Sequence, residues 1–210
     1  MLENMEGETM EENKSGGFKA FYSKHKKKFN FAYTIIICLV IAKLITSFVF
    51  ISVMVDGESM LPTLNNGDKA ITDGLFYKIG GIDRFDIVIV EHKKFDSKLV
   101  KRVIGLPGET IEYRDSVLYI NGEKVEEEFL PEGMITETMH GNDILPVTLD
   151  DDEYYVLGDN RENSTDSRIL GPIKKSQIKG RGILLFATCD SVTSGGKCKG
   201  LNLKWPKTIK

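Results

Sequence analysis

The run from Phe31 to Val55, FAYTIIICLVIAKLITSFVFISVMV, constrains this chain more than any other feature, because its 25 residues hold one charge, Lys43. As a helix rising ~1.5 Å per residue it would reach roughly 37 Å, enough to cross a hydrocarbon layer about 30 Å thick. A transmembrane helix is expected over 31–55. Lys43 costs about 3 kcal/mol at the bilayer centre, which the surrounding Ile, Leu, Val and Phe offset, so it reads as a tolerated charge and not a site. Lys24-His25-Lys26-Lys27-Lys28 precedes the run, and Asp56, Gly57 and Glu58 follow it. The positive-inside rule then puts residues 1–30 in the cytoplasm and residues 56–210 on the outer side. The apolar run exceeds a signal-peptide core and ends without a small-residue cleavage pattern, so the helix is expected to stay attached. Met1 to Gly17 is acidic and lacks apolar periodicity, which predicts a disordered cytoplasmic tail.

Residues 56–210 carry 21 basic and 26 acidic side chains. That balance argues against a nucleic-acid partner, which calls for a clustered basic excess. The three histidines, His25, His92 and His140, keep no ligand spacing with a cysteine or with each other, so neither a metal nor another cofactor is expected. Cys38 lies in the apolar run, while Cys189 and Cys198 lie on the oxidising side. The sequence leaves open whether those two are bridged or free.

Short β-branched or alternating runs recur at Lys69–Thr72, Asp86–Val90, Leu99–Ile104, Thr110–Tyr113, Val117–Ile120, Tyr154–Leu157 and Gly182–Ala187. Turn residues separate them, and long amphipathic helical patterns are absent. The expected fold is an all-β outer domain of antiparallel sheets after one N-terminal transmembrane helix. Asn121-Gly122 after Val117–Ile120 is a two-residue hairpin signal. Glu126 to Glu153 holds ten acidic residues and no Lys or Arg, and reads as a solvated excursion from the core sheet.

Three stretches hold candidate chemistry. Ser59 stands in Asp56-Gly57-Glu58-Ser59-Met60-Leu61-Pro62-Thr63, where Gly57 allows unusual backbone angles and Pro62 stiffens the turn. Lys101 lies between Leu99-Val100 and Val103-Ile104; burial among such neighbours would lower its pKa until it could take a proton from a hydroxyl. The third, Gly158-Asp159-Asn160-Arg161-Glu162-Asn163-Ser164-Thr165-Asp166-Ser167-Arg168, follows an apolar strand and is dense in hydrogen-bonding groups.

Together, in this order after one span, the three stretches resemble the bacterial type I signal peptidases. Gly57 to Thr63 is similar to the family's serine box, Lys101 to Glu109 to its lysine box, Asp83 to Val88 to the strand motif between them, and Gly158 to Arg168 to its GDNR…S.DSR box. The single span resembles the Gram-positive branch. The resemblance implies a serine endopeptidase with Ser59 as nucleophile, Lys101 as general base and Ser164 orienting that base. It further implies structural ion pairs among Asp159, Arg102, Asp166 and Arg168, and a Ser59 backbone amide in the oxyanion hole. Some family members have a hydroxyl residue at position 57 that donates to the oxyanion; Gly57 has no such side chain, so the second donor is unassigned. The implied partners are the lipid bilayer and preproteins whose signal peptides carry small residues at −1 and −3. Ser59 follows the span by four residues, about 14 Å if extended, so a bilayer-spanning signal peptide would present its cleavage site near it.

Three other readings compete with this one. A Ser-His-Asp triad would use His92 with Asp86 or Asp96, but His92 stands in the hydrophilic stretch Glu91-His92-Lys93-Lys94. An S-x-x-K dyad matches Ser194–Lys197, where two glycines disfavour the helix it needs, and Ser23–Lys26, on the cytoplasmic side. The third rival is a non-catalytic membrane-anchored β-domain that binds exported proteins.

Overall fold

The computed structural model describes residues 25–28, 30–44, 49–138, 141–193 and 198–209. It divides into two units, Met1–Ser47 and Phe48–Lys210. The expected disordered tail, His140, and the rival Ser194–Lys197 lie outside the described residues, as does Ser23 of the other S-x-x-K match.

Within the first unit, residues 30–44 form helix α1. Its apolar side chains face outward on all sides, with Phe31 70%, Tyr33 65% and Leu39 64% exposed. Among the described residues no helix is long and apolar enough to cross a membrane. The expected helix over 31–55 does not reach its predicted end, because Phe50–Met54 is strand β1. β1 pairs antiparallel with β2, Lys69–Asp73, in a register that sets Val53 against Ala70. A short apolar β-branched run such as FISVM fits a period of 2 or of 3.6 equally, and here pairing with β2 decides between them.

The second unit is β throughout its core. β3 (Ile87–Val90), β4 (Leu99–Gly105), β9 (Glu153–Leu157), β10 (Ile173–Lys174) and the long β11 (Ile178–Val192) join β1 and β2 in an antiparallel sheet of order β1-β2-β11-β3-β4-β9-β10. A smaller sheet has order β7-β6-β5-β8 and comprises β5 (Thr110–Arg114), β6 (Val117–Ile120), β7 (Glu123–Val125) and β8 (Ile144–Thr148). Two short helices, α2 (Tyr77–Gly80) and α3 (Ser167–Leu170), complete the unit. Each of the seven expected strand runs lies on a strand or overlaps one, and the mostly β fold is as expected. Asn121 and Gly122 have φ of 52° and 83°, the positive pair that a tight hairpin requires, and they join β6 to β7.

Four strands were not foreseen besides β1, among them the two-residue β10. β7 is short and exposed, and β8 lies inside the acidic segment 126–153, paired to β5. β12, Cys198–Ile209, pairs with β11 alone among the described strands. Its lysines and Pro206 disguise it, and an edge strand tolerates both. The bridge left open by the sequence is present, linking Cys189 on β11 to Cys198 on β12.

The acidic segment is only partly the solvated excursion expected of it. Glu127 and Phe129 turn inward, with Phe129 4.0 Å from the Arg102 guanidinium and Glu127 paired to buried Arg161. Charge composition alone cannot show which member of Glu126-Glu127-Glu128 meets a buried cation.

Candidate active site

Ser59 sits on a loop between β1 and β2 that leaves the sheet at Val55 and returns at Asp68. Val55 N donates to Asp68 O (2.9 Å) and Gly67 N to Val55 O (2.8 Å), which closes the loop at its neck. Met60 and Leu64 are almost fully buried against Ile87, Ile89 and Val100, and so fasten the loop to the sheet. At two residues before the serine, Gly57 takes φ of +100°, a conformation open to glycine at no steric cost. Its amide donates to Asn66 Oδ1 at 3.2 Å.

Lys101 occupies the middle of β4, opposite Val88, and is 3% exposed. Its Nζ lies 2.7 Å from Ser59 Oγ. Burial among apolar neighbours pushes its pKa down from 10.5 to about 8; Asp166 opposes that shift, Arg168 adds to it and Asp159 opposes it. An amine in that condition exchanges protons close to neutral pH.

The sheet register explains how the third stretch reaches the first two. Leu157 pairs with Arg102 in the antiparallel β4–β9 ladder, so the chain leaving β9 at Gly158 comes off level with Lys101. Asn160 then holds the serine loop from that side: its N–H donates to Ser59 O at 3.0 Å and its Nδ2 to Glu58 O at 3.1 Å. Asp159 is fully buried and accepts from Thr63 Oγ1 of the same loop at 2.5 Å. Arg102 meets Asp159 through two bonds, Nε–Oδ1 at 2.8 Å and Nη2–Oδ2 at 2.7 Å, and donates a third from Nη1 to Phe85 O. Asp166 caps α3, accepts from Gly158 N at 3.1 Å and forks with Arg168 through two bonds of 2.8 Å. Arg168 also donates to Arg161 O (2.7 Å) and Glu137 O (3.1 Å). A side chain at Gly158 would collide with Ser164 Oγ and with Ser59 O, so only glycine lets the two stretches touch.

A profile of the family described as signal peptidase, peptidase S26, matches residues 28–187. Signal peptidase I S of Bacillus subtilis (strain 168) is 42% identical over 170 residues, covering 78% of this chain and 91% of its own. The chain belongs to the signal peptidase family. Signal peptidase I of Bacillus licheniformis is 38% identical over 169 residues, again 78% of this chain and 91% of its own. A crystal structure of a signal peptidase I from Enterococcus faecalis V583 is 35% identical, covers 47% of this chain and 93% of its own, and superposes with a TM-score of 0.38. The chain is thus a serine endopeptidase that removes signal peptides from preproteins.

The structure of this signal peptidase brings Ser59, Lys101, Asp159, Arg102, Asp166 and Arg168 together. Ser164 differs in detail: its hydroxyl is buried beside Gly158 and, among the described residues, has no hydrogen-bond partner. The expected bond to Lys101 is not formed, because the lysine amine is directed to Ser59 Oγ. His92 stands in the turn after β3 and accepts from Lys94 N, and its ring lies 6.0 Å from that of Phe95. Two residues escaped the site reading. Asn160 clamps the Ser59 loop, and Arg161 lies buried with bonds to Gly158 O, Thr136 Oγ1 and Glu127. The signal for both was their place in the third motif, between two residues already assigned.

Proposed function

We propose that Ser59 attacks the scissile carbonyl of a preprotein while Lys101 takes its proton. The observation carrying this reading is the 2.7 Å contact between a serine hydroxyl and a lysine amine that is 3% exposed. Neutral Lys101 accepts the Ser59 proton as the Oγ–carbon bond forms, then delivers it to the amine of the mature protein as the peptide bond breaks. Water next attacks the resulting ester, giving up a proton to Lys101, which returns it to Ser59 Oγ as the ester bond breaks; the signal peptide leaves as a carboxylic acid and Ser59 and Lys101 are regenerated. The Ser59 amide, which donates to no acceptor among the described residues, is suited to hold the oxyanion. Ser164 is assigned to orient the amine when Lys101 releases Ser59; its buried, unpartnered hydroxyl supports that role. The pairs Arg102–Asp159 and Arg168–Asp166 give structural support.

The enzyme is read as a single-pass protein of the cell membrane, with residues 1–30 cytoplasmic and the β-rich peptidase unit outside. The anchor is the apolar run from Phe31 to Val49, shortened from the expected 31–55 by strand β1. A helix apolar on every face, as α1 is over residues 30–44, suits lipid surroundings. Substrates are preproteins with small residues at −1 and −3, cleaved where their signal peptides emerge from the bilayer.

The test is incubation of the detergent-solubilised chain with precursors, followed by sequencing of the new amino termini. Wild type releases products that begin after a small-x-small pattern, Ser59→Ala and His92→Ala fold alike, and only Ser59→Ala loses cleavage. Normal processing by a folded Ser59→Ala protein would refute the assignment.

A further inference from the structure

Asp68 closes the neck of the serine loop and is 1% exposed. Its Oδ2 accepts from Asn65 N at 2.9 Å and its Oδ1 from Cys189 N on β11 at 3.1 Å. Among the described residues no lysine or arginine forms an ion pair with it. A carboxylate buried without a cation is costly, and two backbone N–H donors are what hold it there. The partner on β11 is half of the bridge to Cys198, which links β11 to β12 where the first strand finishes and the second begins. The neck rests directly on that bridge. Gly67 has φ of +85°, and a side chain there would come within 2.9 Å of Cys189 Cβ, Cys189 Sγ and Val192. The next residue toward the serine, Asn66, accepts from Gly57 N.

We propose that Asp68 is a positioning residue of this peptidase, fixing the Ser59 loop to the disulfide-bridged β11–β12 hairpin so that Ser59 Oγ is held on Lys101. Besides the buried Met60 and Leu64 and the Thr63–Asp159 bond, the loop has one polar restraint at the serine and one at the neck. Asn160 holds its serine side through Glu58 and Ser59, and Asp68 holds its neck. With only the first, the hydroxyl can drift from the amine, and small errors in reacting geometry lower turnover steeply. The bridged hairpin lies outside all three motif stretches; its apolar residues share a core with Met60 and Leu64, and the Asp68–Cys189 bond is its polar tie to the neck of the loop. The inference rests on the assignment of Ser59 and Lys101 made above.

Kinetics of the full-length, detergent-solubilised chain on a peptide with Ala at −1 and −3 test it. Asp68→Ala removes both acceptors. Asp68→Asn, nearly the same shape, keeps one and turns an amide donor toward the other N–H. Either change is expected to lower kcat about tenfold or more, with KM and the midpoint of the acidic limb unchanged, because Asp68 lies at the neck of the loop and touches neither Lys101 nor Ser59. Reducing the bridge in wild type should lower kcat by a few-fold, and reoxidation should restore it. A merely structural Asp68 would lower Tm and leave the kcat of folded enzyme alone. Wild-type kcat in folded Asp68→Asn protein overturns the proposal, as does a loss carried by KM or by a moved acidic limb. If Asp68→Ala does not fold, the Asp68→Asn kinetics decide. Ser59→Ala runs in parallel: if it stays active the catalytic assignment falls, whereas an inactive Ser59→Ala protein beside a fully active Asp68→Asn protein removes only Asp68.

Discussion

The two halves of the proposed reacting pair, Lys101 and Ser59, are held in opposite ways. Lys101 stands on a central strand, flanked by β3 and β9, and its surroundings act by excluding water. Ser59 stands on a loop outside the sheet, and hydrogen bonds from Asn160, the Thr63–Asp159 contact and the buried Met60 and Leu64 fix where it is. In the proposed mechanism the base draws its reactivity from burial, which the ladder supplies without further apparatus. The nucleophile needs its direction set instead, and that takes polar contacts from elements far apart in sequence.

This contrast is open to direct attack, most forcefully at the lysine. Lys101→Met should reduce cleavage by about a thousandfold or more while the protein folds. It should also stabilise. With a folded pKa of about 8 against 10.5 when exposed, the native state binds fewer protons than the unfolded state between those values. The penalty is therefore full below pH 8 and disappears as pH rises toward 10.5. Denaturant titrations should show Lys101→Met more stable than wild type by on the order of 3 kcal/mol at pH 7, with the gap closing near pH 11. Wild-type kcat/KM should rise with pH along a limb centred near 8. A limb near the exposed-lysine value, or no stability gain, would mean that burial does not activate the base.

Next comes the buried pair behind the loop. Arg102→Leu strands the Asp159 carboxylate in a dry site with Thr63 as its remaining side-chain donor among the described residues. A loss of about 3–5 kcal/mol is expected in urea unfolding. Loss of under 1 kcal/mol would show that the pair does not brace the Thr63 end of the loop.

The smallest effect is expected at Asn160. Asn160→Ala deletes the Nδ2 bond to Glu58 O and keeps the backbone bond to Ser59 O. About 1 kcal/mol of stability and a few-fold in kcat should go, with the acidic limb still centred near 8. A moved limb would join serine positioning to lysine activation and erase the distinction drawn above.

Much of this was legible without coordinates. Period-2 runs announced the strands, because alternation along a pleated ladder is a local property of the sequence, and Asn121-Gly122 announced its hairpin for the same reason. The meeting of Ser59 with Lys101 was legible because each lies in a dense motif, and the burial of Lys101 because its neighbours are apolar. Local signals failed where two structures share one pattern. FISVM suited a helix or a strand equally, and only the partner β2 made it β1. β12 carries lysines and a proline that only an edge position tolerates. Glu127 became an internal ion-pair partner while its neighbours Glu126 and Glu128 remained exposed, a choice made by the position of Arg161.

By itself, then, the sequence determined which groups could react and which segments could pair. Tertiary structure decided the distances between them. The register of Arg102 against Leu157 brings Gly158 level with Lys101, and the absent side chain of Gly158 lets Ser164 and Ser59 approach. The Asp68–Cys189 bond ties the loop to a strand 121 positions away. Such contacts follow from how separate strands are stacked, and no window of neighbouring residues contains that information.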